Sequence, residues 1–113
     1  MLTVRDKGLL LNIIKHCIRI EEIMDGLTKE QFDDDQNIRE VICFNLLQIG
    51  ELAKSLSPEY IKTYDGVPWG KIKRIRDRVA HRYGSIDFEI IWGTASNDII
   101  PLRVYCKDVI ELN

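Results

Sequence analysis

The chain is poor in the residues that mark metalloproteins, disulfide scaffolds and membrane proteins. Its three cysteines, Cys17, Cys43 and Cys106, are odd in number and share no Cys-x-x-Cys spacing. Structural zinc and a disulfide framework are therefore not expected; three reduced and mostly buried thiols in a cytoplasmic protein are. Histidine is scarcer still, only His16 and His81, and no Glu-x-x-His pair of the di-iron bundles occurs. The apolar run that begins at Leu9 ends at Lys15, far short of the roughly 20 residues a membrane span needs. The first residues carry no small-residue cleavage site, so no secretory signal is expected. Strand alternation is weak throughout, and neither repeats nor low-complexity segments are present.

What is present is helical periodicity. At 113 residues, 45% hydrophobic and 30% charged, the chain reads as one globular domain spanning 1–113. Leu10, Ile13, Cys17, Ile20, Met24 and Leu27 recur at steps of three and four, with Thr3 and Asp6 as a start signal and Gly26 as an end. A second stripe, Ile38, Ile42, Asn45, Ile49, Leu52 and Leu56, follows Asp33-Asp34-Asp35, whose carboxylates suit a helix N-terminus. Asp33, Asp35 and Asn37 imitate a calcium loop, but Ile38 stands where such a loop needs glycine and Phe44 where it needs glutamate. Ser57-Pro58 ends that helix, and a short helical turn is expected over 59–64. Pro68 suits the first position of a third helix, which should stop near Gly84 in left-handed geometry. A last helix opens at Ser85 and Asp87, striped by Phe88, Ile91, Ala95, Ile99, Leu102, Cys106 and Val109, and Pro101 should kink or break it. The expected fold is all-α, an antiparallel bundle of four to five helices with Trp69 and Trp92 as packing anchors.

Charge is unevenly spread. Between Lys71 and Arg82 six cations face only Asp77, five net positive charges in a chain whose total is −2, so the remainder carries −7. Such concentration suits a polyanion. Within it lies Arg76-Asp77-Arg78-Val79-Ala80-His81-Arg82-Tyr83. Metal-free RNA cleavage needs a base for the 2′-hydroxyl proton, an acid for the departing 5′-oxygen, and cations where phosphate charge builds. His81 with its arginines meets that list, and guanidinium groups grip phosphate through paired N–H donors. On an ideal helix, however, five residues separate Arg76 and His81 by roughly 140°. Arg74 and Arg78 share the face of His81, so convergence needs an early helix end near His81, long arginine reach or a second subunit. One histidine per chain for a two-proton reaction makes a two-fold dimer attractive, with helices of both copies forming a shared cleft. Asn45 reads first as a register-setting buried amide and second as a residue of that cleft. Glu51 and Gln48 read as ordinary surface, and His16 as surface beside core.

Arg76, His81 and Tyr83 match the Arg-x-x-x-x-His-x-Tyr motif of HEPN-type ribonucleases. The wider context resembles the HepT branch of that superfamily: Asn45 to Tyr60, Val67 to Asp87, and within and beyond them Ile49-Gly50-Glu51, Pro68-Trp69, Trp92 and Pro101-Leu102. The resemblance spans nearly the whole chain. It implies an all-helical dimer that cleaves RNA as an endoribonuclease without metal or cofactor, with Arg76 and His81 at the dimer cleft. It further implies a toxin paired with a minimal nucleotidyltransferase antitoxin of the MntA type, which transfers AMP to Tyr83. Arg78, Arg74 and Arg82 are the expected RNA-phosphate ligands. The competing reading is a non-catalytic helical module that binds nucleotide or RNA, or recruits substrate to a nucleotidyltransferase.

Overall fold

A computed structural model describes residues 1–113, and every regular element in it is helical. Helix α1 (Val4–Met24) starts where Thr3 accepts a hydrogen bond from the Asp6 N–H, and it is followed by Gly26 at φ 73°. A short helix α2 (Lys29–Asp34) comes next, then α3 (Gln36–Ser55), α4 (Pro58–Thr63), α5 (Trp69–Arg82), a 3-10 turn (Tyr83–Ser85), α6 (Phe88–Asn97) and α7 (Ile99–Leu112). Helix α1 lies between α3 and α7, and α5 packs along the other side of α3.

The periodic stripes form the core. Leu10, Ile13, Cys17 and Ile20 of α1 are fully buried, against Ile42 and Ile49 of α3 and Ile99, Leu102, Cys106 and Val109 of α7. Helix α5 contributes less: only Trp69, Ile75 and Val79 are buried, so most of its surface stays in water. Its start is held by aromatic packing. The Trp69 ring meets Tyr60 edge-on at 5.7 Å, and its indole N–H donates to the Tyr64 carbonyl at 2.8 Å. Trp92 packs on Phe32 at 5.1 Å and fixes α2 to α6. Both tryptophans anchor packing, as their sequence positions suggest.

Four boundaries differ from expectation. Helix α2 is an element beyond those the periodicity indicates; it carries a capping box in which Thr28 and Gln31 satisfy each other's backbone N–H groups. Pro68 precedes α5 as its cap residue rather than opening it. Gly84 takes no left-handed conformation, because α5 closes through the 3-10 turn, where the Ile86 N–H donates to the Tyr83 carbonyl. The last helix does break, but at Asp98; Pro101 then sits in the first turn of α7, where its missing N–H costs no helical hydrogen bond.

Asp6 ties the start of α1 to the start of α4. It is buried, and its carboxylate accepts from the Ser57 N–H at 3.0 Å and the Ser57 hydroxyl at 2.6 Å. Burial alone would raise the Asp6 carboxyl, but the Ser57 hydrogen bonds outweigh it and hold the group below its ordinary value. Asp6→Ala should therefore cost about 2–3 kcal/mol in urea denaturation, since the Ser57 N–H loses a charged partner. A group with a depressed folded pKa stabilises above its unfolded pKa and loses that contribution as pH falls through the folded value. The gap between wild type and variant should hold at neutral pH and shrink below about pH 4.

Candidate active site

Helix α5 is amphipathic in an unusual proportion. Trp69, Ile72, Ile75 and Val79 face inward, and seven of the other ten residues are charged. Its outer side and Lys54 of α3 enclose an open concavity lined by Lys54, Arg74, Arg76, Asp77, Arg78, His81 and Arg82, with no apolar member. Arg74, Arg78 and Arg82 sit at i, i+4 and i+8, rising about 6 Å per step. None of the three forms an ion pair within the chain; the pairs present involve Arg5, Lys29, Lys54, Lys71, Arg76 and Arg103. Three guanidinium groups without an ion-pair partner in one hollow concentrate positive charge of the kind that suits a polyanion. His81 stands exposed beside them.

Arg76 is the exception among these arginines. Its side chain is only 18% exposed, its Nε–H donates to the Glu51 carboxylate, and its Nη1–H donates to Asp77 at 2.9 Å. Lys54 reaches the same Asp77 carboxylate at 3.6 Å. The hydrogen bond from Arg76 holds the Asp77 carboxyl below its ordinary range, so both partners remain charged. Arg76 can lie this close to α3 because residue 50 is glycine: a Cβ there would overlap the Arg76 side chain and stand 3.3 Å from its Cα.

The structure gathers Arg74, Arg76, Arg78, His81 and Arg82 around one hollow, but not by the early helix end suggested for Arg76 and His81. Helix α5 runs unbroken through Arg82, so the two border the same hollow without a contact between them. Tyr83 lies one residue beyond the helix and outside the lining. Its half-exposed ring meets Phe88 edge-on at 6.0 Å. Burial and then the nearby Cys43 and Glu40 push its phenol above the ordinary value, so the hydroxyl stays protonated. Asn45 does not join the concavity. It is buried against α1, with Oδ1 at 2.9 Å from His16 Nδ1 and its amide donating to the Val41 carbonyl. It is a buried amide with partners on both sides, and the contact leaves His16 only partly exposed. Glu51, which reads as ordinary surface in sequence, is the residue that sequence reasoning missed; the available signal was Gly50, a helix-interior glycine that costs about 1 kcal/mol unless close packing requires it.

An all-helical domain with an arginine-lined, histidine-bearing hollow carries the concentrated positive charge that a phosphate backbone would complement. The comparisons narrow this. A family model described as ribonuclease HepT-like matches residues 13–109. A Methanocaldococcus jannaschii protein named as a candidate RNase is 30% identical over 91% of this chain and 88% of its own length. A protein of Thermococcus cleftensis named as a probable ribonuclease HepT is 28% identical, over 86% and 88% respectively. No solved structure matches. The chain belongs to the HepT-like ribonuclease family. No helix is long and apolar enough to cross a membrane.

Proposed function

We propose that this chain is a metal-independent endoribonuclease, the toxin of a toxin–antitoxin pair, silenced when a minimal nucleotidyltransferase moves AMP onto Tyr83. The observation that carries the reading is the concavity itself, where His81 stands among three unpaired arginines and a fourth that is locked in place. The arginines hold the backbone and offset charge as it builds on the scissile phosphate. His81 takes the 2′-hydroxyl proton of the bound strand. That oxygen attacks phosphorus, the P–O5′ bond breaks, and the departing oxygen takes a proton from a second acid. Lys54 and Arg76 already hold Asp77, the one carboxylate of the hollow, so charge neutralisation falls to guanidinium groups.

The second acid is assigned to His81 of a second copy. Val41 and Phe44 are exposed large hydrophobics, Phe44 at 55%. Phe44, Gln48 and Glu51 follow at i, i+4 and i+7, on one face of α3 that leads to Arg76. A two-fold dimer that covers Phe44 brings two concavities beside one another.

Modification acts by charge. The Tyr83 oxygen attacks the α-phosphate of ATP, pyrophosphate leaves, and the phenolic proton passes to a base of the transferase. An anionic adduct at the end of α5 then competes with RNA for the arginines. The non-catalytic reading keeps one observation in its favour: no group of the same chain orients the His81 ring. Protein made without a transferase, with its unmodified mass confirmed, should cut RNA in EDTA. After incubation with the transferase and ATP it should gain one AMP and stop cutting, and Tyr83→Phe should escape both. Unmodified protein that leaves diverse RNAs intact would defeat the enzymatic reading.

A further inference from the structure

The two carboxylates on Arg76 are not equivalent. We infer that Glu51 is a positioning residue that aims Arg76, and that Asp77 occupies the place an RNA phosphate takes. The inference rests on the ribonuclease reading and assigns roles to two residues outside its motif.

A guanidinium group carries five N–H donors in a planar fork. Glu51 takes the Nε–H, at the base of the fork, and it belongs to a different helix, α3. Gly50 lets the stem of Arg76 lie directly on that helix, so the base of the fork is fixed from beneath and behind. Asp77 takes Nη1, at the tip, from the neighbouring position on α5 itself. Its side chain is about half exposed, and it is within reach of Lys54. Two-pronged recognition of a phosphate needs two N–H groups from one edge. With Nε committed to Glu51, the edge left is the Nη1–Nη2 tip, which opens fully only when Asp77 withdraws. Lys54 can hold Asp77 when it does, so no charge is left unpaired. The resting contact thus keeps the tip oriented, and arriving phosphate replaces one carboxylate without disturbing the other.

Substitutions at the two carboxylates should have opposite effects. Glu51→Ala should lower kcat by about 100-fold with KM changed only a few-fold, as expected when a clamp is displaced by about 1 Å. Glu51→Gln keeps an oxygen acceptor for the Nε–H and should recover to within about tenfold of wild type. Asp77→Asn should lower the Kd for RNA several-fold, measured in the His81→Ala background so that RNA survives. In the same background, the Arg76 Nε–H resonance should exchange slowly with and without RNA. Glu51 is half exposed, so its variants should fold, with thermal melts confirming it. A folded Glu51→Ala enzyme with wild-type kcat would overturn the inference. So would an Asp77→Asn protein that binds RNA more weakly, or RNA that frees the Nε–H to exchange. If wild type cuts no RNA, the ribonuclease reading fails instead, while the exchange measurement still judges the place of Glu51.

Discussion

His81→Ala should lower the rate of RNA cleavage by about 10²- to 10⁴-fold, the span of a lost general acid–base group. Folding should be untouched, because the ring is exposed and makes no hydrogen bond within the chain. RNA binding should change little, because the proposed mechanism gives the phosphate contacts to Arg74, Arg78 and Arg82. Arg76→Ala should match this loss of rate for a different reason, the removal of a cation aimed at developing charge. The two variants therefore separate a proton-transfer role from an electrostatic one when cleavage is followed across pH. A His81→Ala protein that cuts at the wild-type rate would place the chemistry elsewhere. One that loses binding in parallel with cleavage would make His81 an RNA-binding group rather than the carrier of the proton.

Phe44→Glu should be nearly as damaging, although Phe44 does not line the concavity. The wild-type chain should sediment as a dimer, and the variant as a folded monomer, because the side chain is 55% exposed and leaves no cavity behind. Cleavage should fall at least about 100-fold if the second acid comes from the partner copy. Mixing His81→Ala with wild type would then give hybrid dimers of reduced activity. A monomeric Phe44→Glu protein with full activity would show that one chain supplies both protons, and the shared-cleft arrangement would be wrong.

Most of the frame was legible in sequence because long amphipathic helices announce themselves through repeated spacing. Most of the stripe positions of α1, α3 and α7 are buried as their periodicity suggests, while Met24, Leu27, Ile38 and Leu52 are only partly so and Leu27 lies beyond α1; Thr3 caps α1 at the expected place. Helix α2 escaped notice because six residues are too few for a period to register, although Thr28 and Gln31 spell its capping box. The sequence points to Pro101 for a break that the structure puts at Asp98, because proline's mark does not distinguish a break from the tolerated first turn. The cationic face of α5 followed from charge alone. Its partner on α3 did not, because Glu51 and Arg76 lie 25 positions apart and meet only through helix packing at Gly50. Asn45 illustrates the converse: its place on an apolar stripe marked a buried amide, and only the fold shows that it faces His16 rather than the arginines.

The most direct measurement is a cleavage time course in excess EDTA, with end-labelled RNA beside the same strand carrying 2′-O-methyl groups throughout. The enzyme should be AMP-free wild type, verified by intact mass. The RNA should be cut and the methylated strand left whole, because His81 then has no 2′-hydroxyl proton to take. Equal cutting of both strands, or of neither, would contradict the mechanism built on α5.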